Sequence, residues 1–322
     1  MSAAATAQAP FMGWQAWARP GITAAAAVII LATLWLSAPT FFRPNNLLNI
    51  LVQASTLAVL ASGMAVVMIG GGIDLSIPFS AALSAVLGAM YMRATGDAMG
   101  GLLIMLFSGL AIGVCNGVAV GYLRMIPFVV TLAMMTITNG AAVWLTNSIS
   151  IADIPPAFVD PFTGRYLGLL PLPVLISVAV VAVASVFMSR TVYGLWLYAV
   201  GTNVKASEVA RVPFPRVVMA SYMAAGLAAG IGAVMLTGRL ASASSNLASA
   251  SMVLDVISAC VIGGISIQGG VGQIWKAALG AVFITLLNNA LNAAEVSLYV
   301  NQMIRGGVII AFVALDRVAP KA

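Results

Sequence analysis

Residues 44–73 read PNNLLNILVQASTLAVLASGMAVVMIGGGI and contain no charged side chain. A helix needs about 20 predominantly apolar residues to cross the hydrocarbon core of a bilayer, and this stretch is longer than that. Irregular backbone cannot face lipid, because its N–H and C=O groups would find no hydrogen-bond partners there. The stretch therefore predicts a helix that crosses a membrane, and the rest of the chain resembles it in composition.

Further charge-free stretches cover residues 98–123, 125–152, 166–189, 217–238, 240–254, 256–275 and 277–294. The 322 residues include only 14 Lys and Arg, 8 Asp and Glu and no His, and the mean hydropathy is +1.08. This composition excludes a soluble globular protein. It predicts an all-α integral membrane protein of about ten transmembrane helices. We place these spans at about 21–38, 47–70, 76–93, 101–121, 127–146, 170–189, 217–238, 252–267, 275–293 and 300–316.

The basic residues predict how the chain is oriented, because cytoplasmic loops carry an excess of Lys and Arg. With the N-terminus inside, nine basic residues are cytoplasmic and five are external. Both termini are then cytoplasmic. The chain divides into a cytoplasmic or interfacial tail at 1–20, a transmembrane domain at 21–317 and a cytoplasmic tail at 318–322.

Glycines recur at every fourth position of the fourth predicted span, so they lie along one ridge of the helix. Such a ridge lets a second helix approach closely. The seventh span repeats the spacing. We therefore predict helix packing at Gly109, Gly113, Gly117, Gly121, Gly226 and Gly230.

Asp74 stands between two apolar spans, in Gly70-Gly-Gly-Ile-Asp-Leu-Ser-Ile-Pro78. The three glycines break the helix, Ser76 can cap the next one, and Pro78 falls in its first turn. An ionisable residue near membrane depth is a functional candidate. Capping and gating both remain open for Asp74, and they are compatible. A proton relay is disfavoured, because the other spans offer few ionisable partners.

A similar glycine break, Ile262-Gly-Gly-Ile-Ser266, also precedes an Ala-rich span. Paired glycine-broken segments often mark the pathway of a transporter. However, small residues are common in membrane helices, and sequence identity alone favours that simpler explanation.

Neutral polar side chains gather on two predicted helices. Thr285, Asn288 and Asn292 share one face, with Asn289 beside them, and Thr131, Thr138 and Asn139 form a similar set. Amides and hydroxyls suit the pathway of an uncharged polar solute. They also join helices in membranes, at ~0.6 kcal/mol each. Asp255 opens the eighth predicted span, where we expect it to act as an N-terminal charge.

The chain carries no residue set for covalent chemistry: there is no phosphate-binding glycine loop, no metal constellation and no nucleophile beside a base. We therefore expect a transport subunit rather than an enzyme, without a nucleotide site of its own.

Several motifs together are similar to one family. The run Gly63-Met-Ala-Val-Val-Met-Ile-Gly-Gly-Gly-Ile-Asp-Leu-Ser76 resembles the permease subunit of ribose-type bacterial ABC importers, and the similarity extends from about residue 40 to the C-terminus. Ile77-Pro78 and residues 266–270 depart from the family pattern. The other matching motifs are Phe41-Phe-Arg-Pro-Asn-Asn-Leu-Leu-Asn-Ile50, Asn116-Gly117, Pro127-Phe128, Thr131-Leu132, Tyr198-Ala-Val-Gly-Thr-Asn203, Ala206-Ser-Glu-Val-Ala-Arg211, Gly263-Gly264, Gly269-Gly270, Gly272 and Leu287-Asn-Asn-Ala-Leu-Asn292.

The resemblance implies ATP-driven uptake of a monosaccharide or polyol through the bacterial inner membrane. It implies as partners a second permease copy, ATP-binding cassette subunits that hold ATP and Mg, a periplasmic sugar-binding protein and the lipid bilayer, with no nucleic acid and no cofactor on this chain. On this reading the translocation or gating candidates are Asp74, Ser76, Asn116, Phe128, Thr131, Asn139, Asn288, Asn289 and Asn292.

In such importers a short cytoplasmic helix of the permease transmits the closure of the ATPase. The inside connection at about 191–216 fits this role, with a cap at Asn203 or Thr202, a helix at 206–211 and a stop at the prolines that follow. We expect Glu208 and Arg211 to pair with each other at i, i+3 or with the partner. An ordinary solvated loop is the alternative. The coupling candidates are Asn203, Ala206, Glu208, Val209 and Arg211.

Other functions remain open at this stage. A related permease for branched-chain amino acids or nucleosides would differ in its binding protein. A secondary transporter would work without ATP, but it is disfavoured by the scarcity of intramembrane carboxylates. A receptor or membrane-embedded enzyme is disfavoured by the lack of a catalytic set.

Overall fold

The computed structural model describes residues 39–166 and 170–318, and almost all of its regular structure is helical. The helices are α1 (Pro44–Ile69), α2 (Ile77–Thr95), α3 (Ala98–Gly117), α4 (Pro127–Thr146), α5 (Pro156–Thr163), α6 (Leu172–Arg190), α7 (Val192–Thr202), α8 (Val204–Val209), α9 (Phe214–Leu240), α10 (Ala250–Ile262), α11 (Ile274–Ala293) and α12 (Leu298–Val318). A π-helical turn, Val118–Tyr122, extends α3. The short strands β1 (Arg165–Tyr166) and β2 (Leu170–Pro171) pair antiparallel.

Eight of the described helices are long and apolar enough to cross a membrane. This confirms an all-α integral membrane protein. The predicted span at 21–38 lies outside the described residues. The predicted span at 300–316 is helical within α12, which is not among the eight. The count of ten and the position of the termini therefore stay predictions.

The eighth predicted span ends earlier than we expected. Instead of continuing to residue 267, α10 stops at Ile262. Gly264 adopts a φ of +78°, a left-handed conformation that only glycine takes up without strain, and this reverses the chain. The Gly263-Gly264 pair is thus a helix terminator rather than a bend within one span.

The connections are more ordered than we predicted. The inside connection contains not one short helix but two, α7 and α8, because Thr191 caps the first by accepting a hydrogen bond from the Gly194 N–H at 3.3 Å. The outside connection holds α5, whose Phe158 is buried, and Ile151 pairs with Ala243 through backbone hydrogen bonds.

A close helix contact along a ridge of glycines joins α3 to α9. A side-chain carbon at Gly109 would lie 2.5 Å from the Gly226 carbonyl oxygen and 2.7 Å from the Gly230 nitrogen. Gly113 lies against the Tyr222 carbonyl. Further along α3 and its π-helical turn, Gly117 meets Met219 and Gly121 meets Pro215. The two backbones approach so closely that no side chain fits between them, and van der Waals contact between helices is what holds a membrane protein together.

We predict that Gly113→Ala destabilises the protein, because its new methyl group would collide with the Tyr222 carbonyl. Overpacking of this kind costs about 1–3 kcal/mol. Gly140→Ala is the control, because Gly140 lies on a helix with nothing within 4 Å of the new carbon. Thermal unfolding in detergent measures both variants. Equal midpoints for the two would contradict the packing account.

Candidate functional site

The chain bends sharply after α1, and Asp74 is buried inside that bend at 2% exposure. Gly71 adopts a φ of +82° and its N–H donates to the Met68 carbonyl at 2.9 Å. One carboxylate oxygen of Asp74, Oδ1, accepts from the Ser76 N–H at 2.9 Å and from the Ser76 hydroxyl at 2.6 Å. Ser76 stands at the N-cap position of α2 as expected, but its side chain bonds Asp74 and accepts no hydrogen bond from the helix that follows.

Two other helices reach the same bend. The Asn116 side chain on α3 donates from Nδ2 to Ser76 Oγ at 2.9 Å and lies 3.5 Å from Asp74 Oδ2. On α4, the Thr131 hydroxyl lies 3.2 Å from the Ile73 carbonyl oxygen and 3.0 Å from that of Pro127 in its own helix. Among the residues that the structure describes, no basic side chain pairs with Asp74. Neutral hydrogen bonds alone hold this carboxylate, so any movement of α1, α3 or α4 changes its surroundings.

Three glycine-containing segments meet at the end of α1. We name this contact the glycine junction; it consists of Gly70 and Gly71 after α1, Gly201 near the end of α7, and Gly269 and Gly270 after α10. The Gly270 N–H donates to the Ile69 carbonyl at 2.8 Å.

Backbone packs directly on backbone in the glycine junction. A side-chain carbon at Gly201 would collide with the Ile69 carbonyl oxygen and lie 2.6 Å from the Gly270 nitrogen. At Gly269 it would lie 2.8 Å from both the Gly201 oxygen and the Gly71 Cα. The junction therefore fixes α7 against the Asp74 bend and against the connection from α10 to α11.

The two glycine breaks share one backbone pattern. The N–H groups of residues 70–72 donate to carbonyls four, three and five positions back, at 3.3, 2.9 and 3.0 Å. Those of residues 263–265 repeat the pattern at 3.0, 2.9 and 3.0 Å. Similar sequence thus accompanies the same turn, and the segment that follows the second break, Gly269-Gly270, contacts the first break in the glycine junction.

The helix α8 starts directly after the glycine junction. Asn203 caps it, since its Oδ1 accepts from the Ala206 N–H at 3.0 Å, and the chain leaves the helix through Arg211 at a φ of +59°. Ser207 is buried at 3% exposure. Val209 is 85% exposed. One face of α8 therefore packs against the protein, and the apolar Val209 side chain points away from it.

An ion pair ties α8 to the rest of the protein. Glu208 accepts from Arg124, which precedes α4, at 2.7 Å, and it does not form the expected pair with Arg211. The Arg124 guanidinium also lies 5.5 Å from the ring centre of Phe214 at the start of α9. Exposed pairs of this kind contribute at most about 1 kcal/mol. The contact therefore positions α8 more than it stabilises the fold.

The other polar candidates lie apart from the Asp74 bend. Asn288 on α11 donates from Nδ2 to Asp255 Oδ2 at 3.4 Å, and Asn292 accepts from Asn301 on α12 at 3.3 Å. Asn289 is partly buried, whereas Phe128 and Asn139 are exposed. The Thr285 hydroxyl donates to a carbonyl of its own helix at 2.8 Å.

Asp255 does not act as an N-terminal charge, because α10 begins at Ala250 and Asp255 lies beyond its first turn. It pairs instead with Arg305 on α12 at 3.2 Å. In the sequence, Arg305 counts as one of the five external basic residues that set the orientation. A lone charge within a predicted apolar span is itself a functional signal, and by that criterion Arg305 would have been found. Gly201 lies in the run Tyr198-Ala-Val-Gly-Thr-Asn203 that resembles the family, but nothing in the sequence indicated its close contact with Ile69.

Comparison with known proteins identifies one family over most of the chain. Residues 46–313 match the family described as the branched-chain amino acid transport system / permease component. No solved structure matches.

Several characterised permeases are similar over most of the chain. The ribose import permease of Bacillus subtilis is 35% identical over 281 residues, 87% of this chain and 87% of that protein. The L-arabinose ABC transporter permease of Azospirillum brasilense is 31% identical over 304 residues, 94% of this chain and 89% of that protein. The D-allose transport system permease of Escherichia coli is 30% identical over 322 residues, 98% of this chain and 97% of that protein. The chain belongs to the branched-chain amino acid transport system / permease component family, and it is a permease subunit of an ABC importer.

Proposed function

We propose that this chain forms the membrane pathway of an ATP-driven importer for a monosaccharide or related polyol. The observation that carries the proposal is similarity over almost the whole chain to import permeases for ribose, L-arabinose and D-allose. The family description mentions branched-chain amino acids, but these relatives are sugar permeases. The protein therefore belongs in the bacterial inner membrane as a multi-pass subunit.

The polar residues of the described spans support an uncharged solute. Asn116, Asn288 and Asn292 offer neutral donors and acceptors, and hydroxyl groups need both. Asp74 and Asp255 each have a hydrogen-bonded partner, Ser76 and Arg305, so neither is left as an uncompensated charge in the membrane.

The energy for transport comes from partner subunits. We infer that ATP and Mg bind to ATP-binding cassette subunits on the cytoplasmic side, that a second permease copy completes the pathway, and that a periplasmic binding protein delivers the solute. This chain binds no cofactor in the proposal. Its contribution to coupling is α8, with the exposed Val209 as the contact.

Two routes lead from α8 into the membrane. The first runs through Asn203 and Gly201 to the glycine junction, and so to the Asp74 bend. The second runs through the Glu208–Arg124 pair to the connection between α3 and α4. The first route reaches the Asp74 bend directly, and the second reaches α3 and α4, whose Asn116 and Thr131 side chains bond that bend. Packed bundles of this kind switch between discrete arrangements rather than deforming continuously.

The direct test is uptake by the assembled importer in proteoliposomes, with D-ribose, L-arabinose, D-allose and D-galactose as probes and L-leucine as the comparison. We expect ATP-dependent uptake of at least one sugar and none of leucine. Uptake of leucine alone would overturn the sugar assignment. Uptake that persists without ATP would indicate a secondary transporter.

We predict that a cysteine at Val209 crosslinks to the ATP-binding subunit, because this side chain is 85% exposed on α8. Ser207→Cys is the control, since residue 207 lies two positions away and is 3% exposed. Glu208→Ala should reduce uptake while ATP hydrolysis by the partner persists. Equal crosslinking at both positions, or none at 209, would place the coupling surface elsewhere.

We predict that Asp74→Asn inserts and folds nearly normally but transports poorly, because it keeps an oxygen for the Ser76 N–H and loses the charge. Asp74→Ala should also unfold at lower temperature, since unpaired buried donors cost about 1–3 kcal/mol. Uptake and thermal unfolding measure the two effects separately. Full uptake by Asp74→Asn would leave helix capping as the whole role of Asp74.

A further inference from the structure

A second polar cluster lies inside the membrane, away from the Asp74 bend. It joins α10, α11 and α12 and consists of Asp255, Asn288, Asn292, Asn301 and Arg305. Asp255 lies five residues from the start of α10, and Asn288 lies five residues from the end of α11. At 1.5 Å per residue both are about 8 Å from the same end of the bundle. The predicted orientation places that end on the outside, where solute enters an importer.

The hydrogen bonds within the cluster differ in length. Arg305 donates from Nε to Asn301, one turn away on its own helix, at 2.8 Å. The contacts that reach Asp255 are longer: 3.2 and 3.4 Å from Arg305 and 3.4 Å from Asn288. The side chains of Asp255 and Arg305 keep 16% and 21% of their surface exposed. The contacts between helices are therefore the weak ones, and they are the contacts that an entering group would replace.

Asn288 has an unused acceptor. A carboxylate only accepts hydrogen bonds, so the nitrogen of Asn288 must face Asp255, and its carbonyl oxygen Oδ1 points away. That oxygen is buried and has no partner among the described residues. A buried acceptor without a donor is costly unless something supplies the donor. A sugar hydroxyl would supply it.

We propose that Asp255, Asn288 and Arg305 form a hydroxyl-binding subsite of the solute pathway. A hydroxyl group donates one hydrogen bond and accepts others. Two neighbouring hydroxyls of a polyol can donate to Asn288 Oδ1 and to Asp255 while accepting from the Arg305 guanidinium. This combination of acceptors and a fixed donor is complementary to a vicinal diol. An apolar solute could form no hydrogen bonds at this site. It would therefore displace water from the Asp255–Arg305 ion pair without replacing the hydrogen bonds that the water made. The inference rests on the proposed sugar function and assigns these three residues to it.

Two glycines, Gly306 and Gly307, follow Arg305 on α12. A side-chain carbon at either position would meet no atom of the described residues within 4 Å. These two positions are therefore not packed against another described helix.

The test uses the complete importer in proteoliposomes with the four sugars named above. Asn288→Ala should lower uptake about tenfold, because the hydroxyl loses its acceptor. ATP hydrolysis stimulated by the loaded binding protein should stay within about twofold of the unchanged complex, since the cluster lies far from α8. Gln302→Ala, which removes an amide from an exposed position of α12, is the control and should leave both activities unchanged.

A second measurement separates solute binding from a purely structural role. Asn288→Cys is prepared in a background with Cys115→Ala and Cys260→Ala, and a small cationic thiol reagent is applied during turnover. We expect labelling that slows when the transported sugar is present. A residue that only joins helices would show no protection by sugar.

The outcomes separate the two proposals. Sugar uptake that Asn288→Ala leaves intact, or labelling of Asn288→Cys that sugar does not slow, overturns the subsite and leaves the sugar function standing. If the unchanged complex takes up none of the four sugars, the sugar function and the subsite both fail.

Discussion

The hydrogen bond from the Gly270 N–H to the Ile69 carbonyl, at 2.8 Å, passes directly beside Gly201. It brings together three chain segments that are far apart in sequence. The contact joins backbone to backbone with no side chain between the segments. Only glycine at position 201 leaves room for that contact. The end of α1, the start of the coupling segment and the connection from α10 to α11 are positioned relative to one another by this one arrangement.

The two membrane carboxylates illustrate different solutions to burial. Asp74 is enclosed, and neutral donors from its own bend and from α3 supply its hydrogen bonds. Its position therefore depends on how those segments pack against each other. Asp255 is paired with Arg305 through long contacts and remains partly exposed. Breaking a buried pair is costly unless another polar group takes its place. The first site suits the transmission of movement from α8, and the second suits contact with a polar solute.

Composition was enough to predict an integral helical membrane protein and most of its spans, because an uncharged apolar stretch has no other stable form in a bilayer. Sequence also indicated the break at Asp74 and the cap at Asn203, which are local features. It did not predict α7, the stop of α10 at Ile262 or the pairing of Glu208 with Arg124. These depend on contacts between segments that are distant in sequence. Asp255 was misinterpreted because its partner, Arg305, lies on another helix.

The most direct test of this account is Gly201→Ala in the assembled importer. The new methyl group would push against the Ile69 carbonyl and separate α7 from the end of α1. We predict that the protein still inserts and that its partner still hydrolyses ATP, while uptake falls at least about tenfold, because small misplacements of coupled elements are costly. Gly140→Ala, at an open position, should transport normally. Uptake by Gly201→Ala equal to that of the unchanged importer would contradict the claim that the glycine junction transmits coupling.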